Sequence, residues 1–261
     1  MPVEYDEELV GELTKMFAQL RNPVTIRYFR DPEAECMYCE DTEQILELIT
    51  KTSGGKVRIV KHTSMDPEAK KYNIPMFPAI LIHGVDEWNV RYFGIPAGYE
   101  FGAFVEDIID ASTGQPEVDP KLAELLNKYV TQPTRIMIFV TPTCPYCPLA
   151  VRASHRFAMI NKNIYGDMIE ALEFSELADQ YGVYAVPKNV IQVNGVDRVE
   201  FEGAAPDHYF VAKILEAYQV ELPAELREAI VGITTEESVV DVEEHEHHHH
   251  HHHHEHHHEH Y

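Results

Sequence analysis

The sequence predicts an α/β protein made of two copies of one unit, each a central mixed β-sheet flanked by helices. Three observations support this prediction. The four cysteines form two CxxC pairs, CMYC at 36–39 and CPYC at 144–147. A proline follows each pair at nearly the same distance, 42 residues after the first cysteine for Pro78 and 43 residues for Pro187. Segments with helix and strand patterns also occur in the same order around both pairs.

The elements of each unit follow from their residue patterns. Amphipathic segments, DEELVGELTKMFAQL and PKLAELLNKYV, precede the strand-like runs VTIRYF and RIMIFV. CxxC then opens a helix, and a strand and a short helical piece follow. A β-hairpin comes next, clearest in VIQVNGVDRVEF, where Asn194-Gly195 is a strong two-residue turn signal. With a final amphipathic helix, this order is typical of helices packed on a mixed sheet.

The repeat also predicts how the chain divides. The boundary between the two copies falls in STGQPEVDP, which is rich in turn-forming residues. The predicted divisions are an N-terminal unit with CMYC (1–115), a C-terminal unit with CPYC (116–220), a polar helix and linker (221–242) and a histidine-rich tail (243–261). We expect the tail to be disordered and to fold into neither unit.

The composition excludes two classes of partner. The 261 residues include 44 acidic and 21 basic side chains, a formal net charge of −23. Nucleic acids and anionic membrane surfaces attract positive charge, so neither is expected as a partner. The N-terminal segment does not have the pattern of a signal peptide, and no apolar stretch is long enough to span a bilayer. We therefore expect a cytoplasmic protein, in which CxxC is more often catalytic or metal-binding than structural.

Each CxxC pair has the setting that thiol–disulfide exchange requires. The thiolate is the nucleophile, and a free cysteine with a pKa of about 8.5 is mostly protonated at neutral pH. A cysteine at the start of a helix faces unpaired backbone N–H groups and the positive end of the helix dipole, which favour the thiolate. We predict that Cys36, Cys39, Cys144 and Cys147 are the catalytic residues. No tightly bound cofactor is expected beyond these redox-active disulfides.

The residues alone leave three other interpretations of the cysteines open. The four thiols can bind one zinc ion, although the pairs of a zinc ribbon are usually about 15–20 residues apart. Here each pair lies in its own copy of the repeat. The other two interpretations are unreactive buried thiols and local structural disulfides, the latter mainly in a thermophile.

The two sites are not expected to be equal. Glu35 and Glu40 flank the first pair, and negative neighbours disfavour a thiolate. Lys188 follows Pro187 in the second unit, where a cation would favour the thiolate. We therefore predict a more reactive CPYC site, with these three charged residues as candidates for tuning the cysteine pKa. Glutamates that point into water would be screened and would remove the difference.

Taken together, these motifs resemble a known family. The order of strand, CPYC, helix and hydrophobic-x-Pro before a hairpin is similar to that of thioredoxin and glutaredoxin. Over residues 6–220 the doubled pattern, with TPTCPYCPLAVR, AVPKNVIQVNGVDRVEFEGA and VRYFGIPAGYEF, resembles the protein disulfide oxidoreductases of hyperthermophilic archaea, also called glutaredoxin-like or PDI-like. The resemblance implies two tandem thioredoxin folds and the reduction, formation or isomerisation of protein disulfides.

The resemblance also implies site residues and partners. Phe77-Pro78 and Val186-Pro187 match the family's cis bond, which lies beside the active-site sulfur and pairs with substrate. Implied partners are protein disulfide substrates, a thioredoxin-reductase-like flavoprotein as electron donor, and peroxiredoxins as candidate clients. One feature departs from the family: thioredoxin has a buried acid six residues before its first cysteine, where this chain has Arg30 and Ile138. A proton acceptor is therefore absent from that position.

The C-terminal tail suggests an alternative function. It carries 13 of the 17 histidines, and clustered imidazoles bind Ni²⁺, Cu²⁺ or Zn²⁺. His245, His247 and His256 are candidate ligands for a tail-bound divalent metal, whereas no metal site is expected in the folded units. The alternative is thus a metal-handling protein for nickel, zinc or copper on a thioredoxin scaffold. A third interpretation is a non-catalytic module that holds peptides.

Overall fold

The structure, a computed structural model, describes residues 6–240. The helices in chain order are α1 (Glu7–Phe17), α2 (Cys39–Thr52), α3 (Pro67–Lys71), α4 (Glu100–Thr113), α5 (Pro120–Tyr129), α6 (Cys147–Ile160), α7 (Ser175–Gln180), α8 (Asp207–Ala217) and α9 (Ala224–Ile230). The strands in chain order are β1 (Val24–Arg30), β2 (Val57–Thr63), β3 (Ala79–His83), β4 (Asn89–Phe93), β5 (Thr134–Val140), β6 (Ile164–Glu170), β7 (Ala185–Val186), β8 (Lys188–Val193), β9 (Val196–Glu202) and β10 (Ser238–Val239).

Eight of these strands form one continuous mixed sheet, in the order β2-β1-β3-β4-β6-β5-β8-β9. Each half of the sheet has the same pairing. A central strand, β1 or β5, has a parallel neighbour on one side and an antiparallel hairpin on the other. β3 is buried along its whole length, as expected for a strand covered on both faces. The predicted class, two α/β units with central mixed sheets flanked by helices, is confirmed.

The two halves join where β4 pairs with β6 in parallel, with Arg91 opposite Asp167. Both residues are buried, and the Asp167 carboxylate accepts two hydrogen bonds from the Arg91 guanidinium, at 2.6 Å and 2.7 Å. Arg135 donates a further hydrogen bond to Asp167. Burial opposes ionisation of Asp167, but the two guanidinium groups outweigh it and hold its pKa below the ordinary range. Because the halves share one sheet, the division of the chain at residues 115 and 116 stays a prediction.

Helices α4 and α6 form a second contact between the halves. Asp107 on α4 is fully buried and accepts hydrogen bonds from three side chains: His155 and Arg152, each at 2.6 Å, and Tyr92. The other ring nitrogen of His155 lies 3.0 Å from the carbonyl oxygen of Arg91. His155 is therefore a satisfied core histidine that fixes α6 on the sheet.

Residues 221–240 differ in part from the predicted helix and linker. The helix expected after residue 220 is α9 (Ala224–Ile230), but the residues after it are not a free linker, since β10 pairs with β7. The histidine-rich tail, with His245, His247 and His256, lies outside the described residues. None of the helices within residues 6–240 is long and apolar enough to cross a bilayer.

Candidate active site

The CPYC pair lies at the start of α6. Cys144 is in the loop after β5, and Cys147 is the first residue of the helix. The two cysteines form a disulfide with their Cα atoms 5.5 Å apart, and both are almost fully buried. The backbone N–H of Cys147 donates to the Cys144 sulfur at 3.1 Å. A helix N-terminus therefore does offer a donor to this sulfur, as a stabilised thiolate requires.

The CMYC pair has the corresponding position in the first half. Cys36 and Cys39 form a disulfide with a Cα separation of 5.5 Å, and α2 begins at Cys39. Cys39 is buried, whereas Cys36 is half-buried. All four cysteines are thus paired within their own motifs.

Both prolines follow cis peptide bonds, Phe77-Pro78 and Val186-Pro187. The carbonyl oxygen of Val186 lies 3.7 Å from the Cys144 sulfur. This places the second cis bond beside the CPYC disulfide. Phe77-Pro78 has the corresponding position in the first half, directly before β3.

The three charged residues proposed to tune the sites have different surroundings. Glu35 and Glu40 are exposed, which favours the screened alternative. Lys188 is 9% exposed, and its Nζ lies 3.5 Å from Glu200 and 3.7 Å from Glu202. Its charge is therefore shared with two carboxylates of β9, which weakens its effect on a sulfur. The tuning roles stay predictions.

The N-terminal turn of α4 packs beside the CPYC loop. The backbone N–H of Tyr99 donates to the carbonyl oxygen of Pro142 at 3.0 Å. Gly98 allows this approach, since its φ is +64° and a Cβ there would lie 2.3 Å from the same oxygen. Further along the two helices, Asp107 meets His155. α4 and α6 therefore run side by side in the same direction.

A buried carboxyl group occupies that first turn. Glu100 lies about two helical turns before Asp107 on α4, and Cys147 lies about two turns before His155 on α6. Because Asp107 contacts His155 and the two helices run in the same direction, Glu100 lies at the level of Cys147. Glu100 is fully buried, and neither carboxyl oxygen has a hydrogen-bond partner among the described residues. Burial chiefly, and then the charge of Asp107, raise the pKa of Glu100 to about 8. The sequence around the CPYC motif does not indicate this acid, because Glu100 belongs to the first half of the chain and CPYC to the second.

We expect Glu100→Gln to make the protein more stable at alkaline pH. The folded-state pKa rises from 4.5 to about 8, so the folded protein holds the proton more tightly than the unfolded chain does. The stability from this proton is fully present below about pH 4.5 and is lost as the pH rises through about 8. Within that window the group should contribute a slope of up to about 1.4 kcal/mol per pH unit.

Urea unfolding of wild type and Glu100→Gln at several pH values between about 5 and 9 measures this slope. Glu106→Gln is the matched control, because Glu106 lies on the same helix with its side chain 59% exposed. Glu106→Gln should keep the wild-type slope. Equal slopes for wild type and Glu100→Gln would contradict the expectation.

Two further acids lie close to the CMYC site. Glu173, in the loop after β6, accepts the backbone N–H of Ile95 at 2.8 Å across the junction of the halves. Burial chiefly, together with the charge of Glu170, raises the pKa of Glu173 to about 9. Burial and then the charges of Glu170 and Glu173 also raise the pKa of Tyr38, inside CMYC. The acids near this site thus come from the other half.

One cluster within residues 6–240 has the donor atoms of a metal site. The donor atoms of His62, Asp66 and Glu68 lie within 4.8 Å of one another. Arg27 approaches Nε2 of His62 at 3.0 Å, and a guanidinium can only donate. Nδ1 therefore carries the proton and faces Asp66 at 3.6 Å and Glu68 at 3.8 Å. With Nε2 facing Arg27 and Nδ1 protonated, neither ring nitrogen offers a lone pair to an ion, so the cluster does not support the metal-handling alternative.

Known proteins share this arrangement. Residues 134–216 match the family model of the thioredoxin domain. The crystal structure of a protein disulfide oxidoreductase from Aeropyrum pernix K1 is 29% identical, with a TM-score of 0.74 over 85% of this chain and 97% of that one. The chain thus contains a thioredoxin-like domain. The N-terminal domain of alkylhydroperoxide reductase AhpF from Enterococcus faecalis, 23% identical, has the same fold over 82% of this chain and all of that one, with a TM-score of 0.69.

Curated relatives of this thioredoxin-fold protein are longer. The alkyl hydroperoxide reductase AhpF of Staphylococcus epidermidis is 31% identical over 102 residues, which are 39% of this chain and 20% of the relative. NADH dehydrogenase of Bacillus subtilis is 27% identical over 127 residues, which are 48% of this chain and 24% of the relative. The chain thus spans about a quarter or less of these relatives. The resemblance to archaeal disulfide oxidoreductases is confirmed by the Aeropyrum structure.

Proposed function

We propose that this protein is a dithiol–disulfide oxidoreductase that reduces, forms or isomerises protein disulfides at two sites. One observation carries the proposal: each CxxC pair closes a disulfide where a helix begins, in a half that also contains a cis X-Pro bond. At the CPYC site the sulfur and the cis bond are in contact. A metal clamp or an unreactive crosslink requires neither the helix start nor the cis proline.

The geometry of the CPYC site supports a two-step exchange. In reduction, the Cys144 thiolate attacks a client disulfide, forms a mixed disulfide and releases one client thiolate. The Cys147 thiolate then attacks the Cys144 sulfur, releases the second client thiolate and leaves the Cys144–Cys147 disulfide. Two electrons pass to the client, and the reverse sequence oxidises a client dithiol. The N–H of Cys147 stabilises the Cys144 thiolate before the attack.

We assign Glu100 as the proton acceptor for Cys147. The thiol of Cys147 must lose its proton before it attacks, and a general base works best when its pKa lies near the operating pH. The pKa of Glu100, about 8, is close to that of an ordinary thiol, about 8.5. Glu100 would take the role that an acid before the first cysteine has in thioredoxin. The Glu100→Gln variant should therefore also lose the pH dependence of turnover near pH 8.

The proposed partners are protein disulfides, a flavoprotein reductase of the thioredoxin-reductase type and, among clients, peroxiredoxins. The names of the relatives support this choice, since alkyl hydroperoxide reductase AhpF and NADH dehydrogenase are redox enzymes. The greater reactivity predicted for the CPYC site is also part of the proposal. It is supported by the donor to the Cys144 sulfur. Equal alkylation rates of Cys36 and Cys144 by a small reagent at about pH 6 would contradict it.

Insulin reduction in the presence of dithiothreitol tests the function. Two variants separate the sites: Cys36→Ser with Cys39→Ser leaves only CPYC, and Cys144→Ser with Cys147→Ser leaves only CMYC. We expect each variant to reduce insulin faster than dithiothreitol alone. If neither variant nor the wild type accelerates reduction, the proposed function is wrong.

A further inference from the structure

The last described residues of the chain form a strand beside the CPYC site. Residues 236–240, which we name the strap, run antiparallel to β7, with Ser238 opposite Val186. The backbone N–H of Val240 donates to the carbonyl oxygen of Tyr184 at 2.9 Å. Because hydrogen-bonded pairs alternate along an antiparallel ladder, Ser238 is the residue whose backbone groups face those of Val186.

The other end of the strap pairs with Ala204, just after β9. Glu236 and Ala204 exchange two backbone hydrogen bonds, at 2.9 Å and 2.7 Å. Gly203 allows the close approach, since its φ is +95° and a Cβ there would lie 2.6 Å from the Cβ of Thr235. Alternate residues of the strap therefore turn their backbone groups to Ala204 and to the β7 segment. The side chain of Val239, between two of them, is 80% exposed.

The strap lies where an extended client peptide would bind. Val186 precedes cis-Pro187, and its carbonyl oxygen is 3.7 Å from the Cys144 sulfur. A peptide whose disulfide is attacked by Cys144 must lie next to this edge, and strand addition to an open edge is a common way to bind extended peptides. In the structure this edge is already paired.

We propose that the strap is an intramolecular occupant of the edge of β7, which an extended client peptide must displace. The inference rests on the proposed function of the CPYC site. A tethered segment competes at a high effective concentration, so the strap should weaken the binding of extended peptides. Small disulfides bind without strand pairing, so the strap should not compete with them. The strap thus makes the CPYC site selective between these two classes of substrate.

A purely protective role for the strap has a different consequence. A strand that covers an open edge also prevents pairing with other chains. Loss of such a cover would weaken folding, but it would not tighten the binding of a peptide at the same edge. The Michaelis constant for an extended peptide therefore separates the two roles.

Two proline variants of the full-length chain test the inference, in a background with Cys36→Ser and Cys39→Ser that reports on CPYC alone. Ser238→Pro removes the N–H that faces Val186, while Val239→Pro removes an N–H that points away from β7. With dithiothreitol as reductant, we expect Ser238→Pro to lower KM for an extended peptide disulfide several-fold and to change kcat less. Its reduction of glutathione disulfide should be unchanged. Val239→Pro should match the parent on both substrates.

A synthetic peptide with the sequence TTEESVVDV should inhibit the Ser238→Pro variant competitively against the extended peptide. Equal KM values for the two proline variants, or a higher KM in Ser238→Pro, would overturn the inference. A lower thermal stability of Ser238→Pro with unchanged KM would also overturn it and assign the strap a structural role. If the parent reduces neither substrate, the proposed function itself is wrong.

Discussion

Replacing Cys147 by serine should convert the CPYC site from a turnover site into a trap. Cys144 keeps the helix start and can still attack a client disulfide. The mixed disulfide then has no internal thiolate to resolve it, because a serine hydroxyl is not a nucleophile at neutral pH. An oriented intramolecular attack has a large advantage over attack by an external thiol. We therefore expect turnover at this site to fall by at least about 100-fold.

Non-reducing electrophoresis and mass measurement detect the trapped adduct. The experiment uses the Cys36→Ser, Cys39→Ser background, in which any adduct must form on Cys144. Cys144→Ser in the same background is the matched control, and it should give neither adduct nor turnover. An adduct on Cys147 in that control, with normal turnover, would reverse the assigned roles.

Replacing Asp167 by alanine should destabilise the whole molecule. Asp167 neutralises Arg91 and Arg135 at the junction of the two halves, and it is fully buried. Its loss leaves the Arg91 guanidinium, only 2% exposed, without its carboxylate. Breaking a buried ion pair in this way typically costs about 3–5 kcal/mol, so the free energy of unfolding should fall by that amount.

Asp86→Ala is the matched control for Asp167→Ala. Asp86 also pairs with a cation of the other half, Lys162, at 2.8 Å, but the two side chains are 44% and 61% exposed. An exposed pair contributes at most about 1 kcal/mol. Urea unfolding of both variants measures the difference. Similar small losses in both would show that the buried pair does not stabilise the junction.

Much of the CPYC and CMYC sites could be predicted from sequence because their signals are local or repeated. CxxC before a helix pattern predicts a thiol at a helix start, and the structure has α6 beginning at Cys147. Pro78 and Pro187 follow their CxxC pairs at nearly the same distance, so comparison of the two copies indicates both prolines as site residues. The turn between β8 and β9 has a local signal as well, because Asn and Gly favour the positive φ that a two-residue turn requires, and both Asn194 and Gly195 adopt it.

Other features depend on contacts between distant segments, and no local pattern indicates them. Glu100 and Glu173 each lie near the site of the opposite half, so their burial depends on how β4 and β6 join. The acids next to the first cysteine pair in sequence, Glu35 and Glu40, are exposed in the structure. The short strand β10 is too brief for a periodic pattern, and its partner lies some fifty residues earlier.

The central claim is that each cysteine pair is a reversible two-electron switch, and a redox titration of the two pairs tests it most directly. Thiol labelling at equilibrium in thiol–disulfide buffers of known potential would be read separately for Cys36–Cys39 and Cys144–Cys147. Each pair should titrate reversibly with a midpoint in the range from about −270 to −200 mV, as thioredoxin and glutaredoxins do. Pairs that stay oxidised below about −300 mV, as structural disulfides do, would contradict the claim.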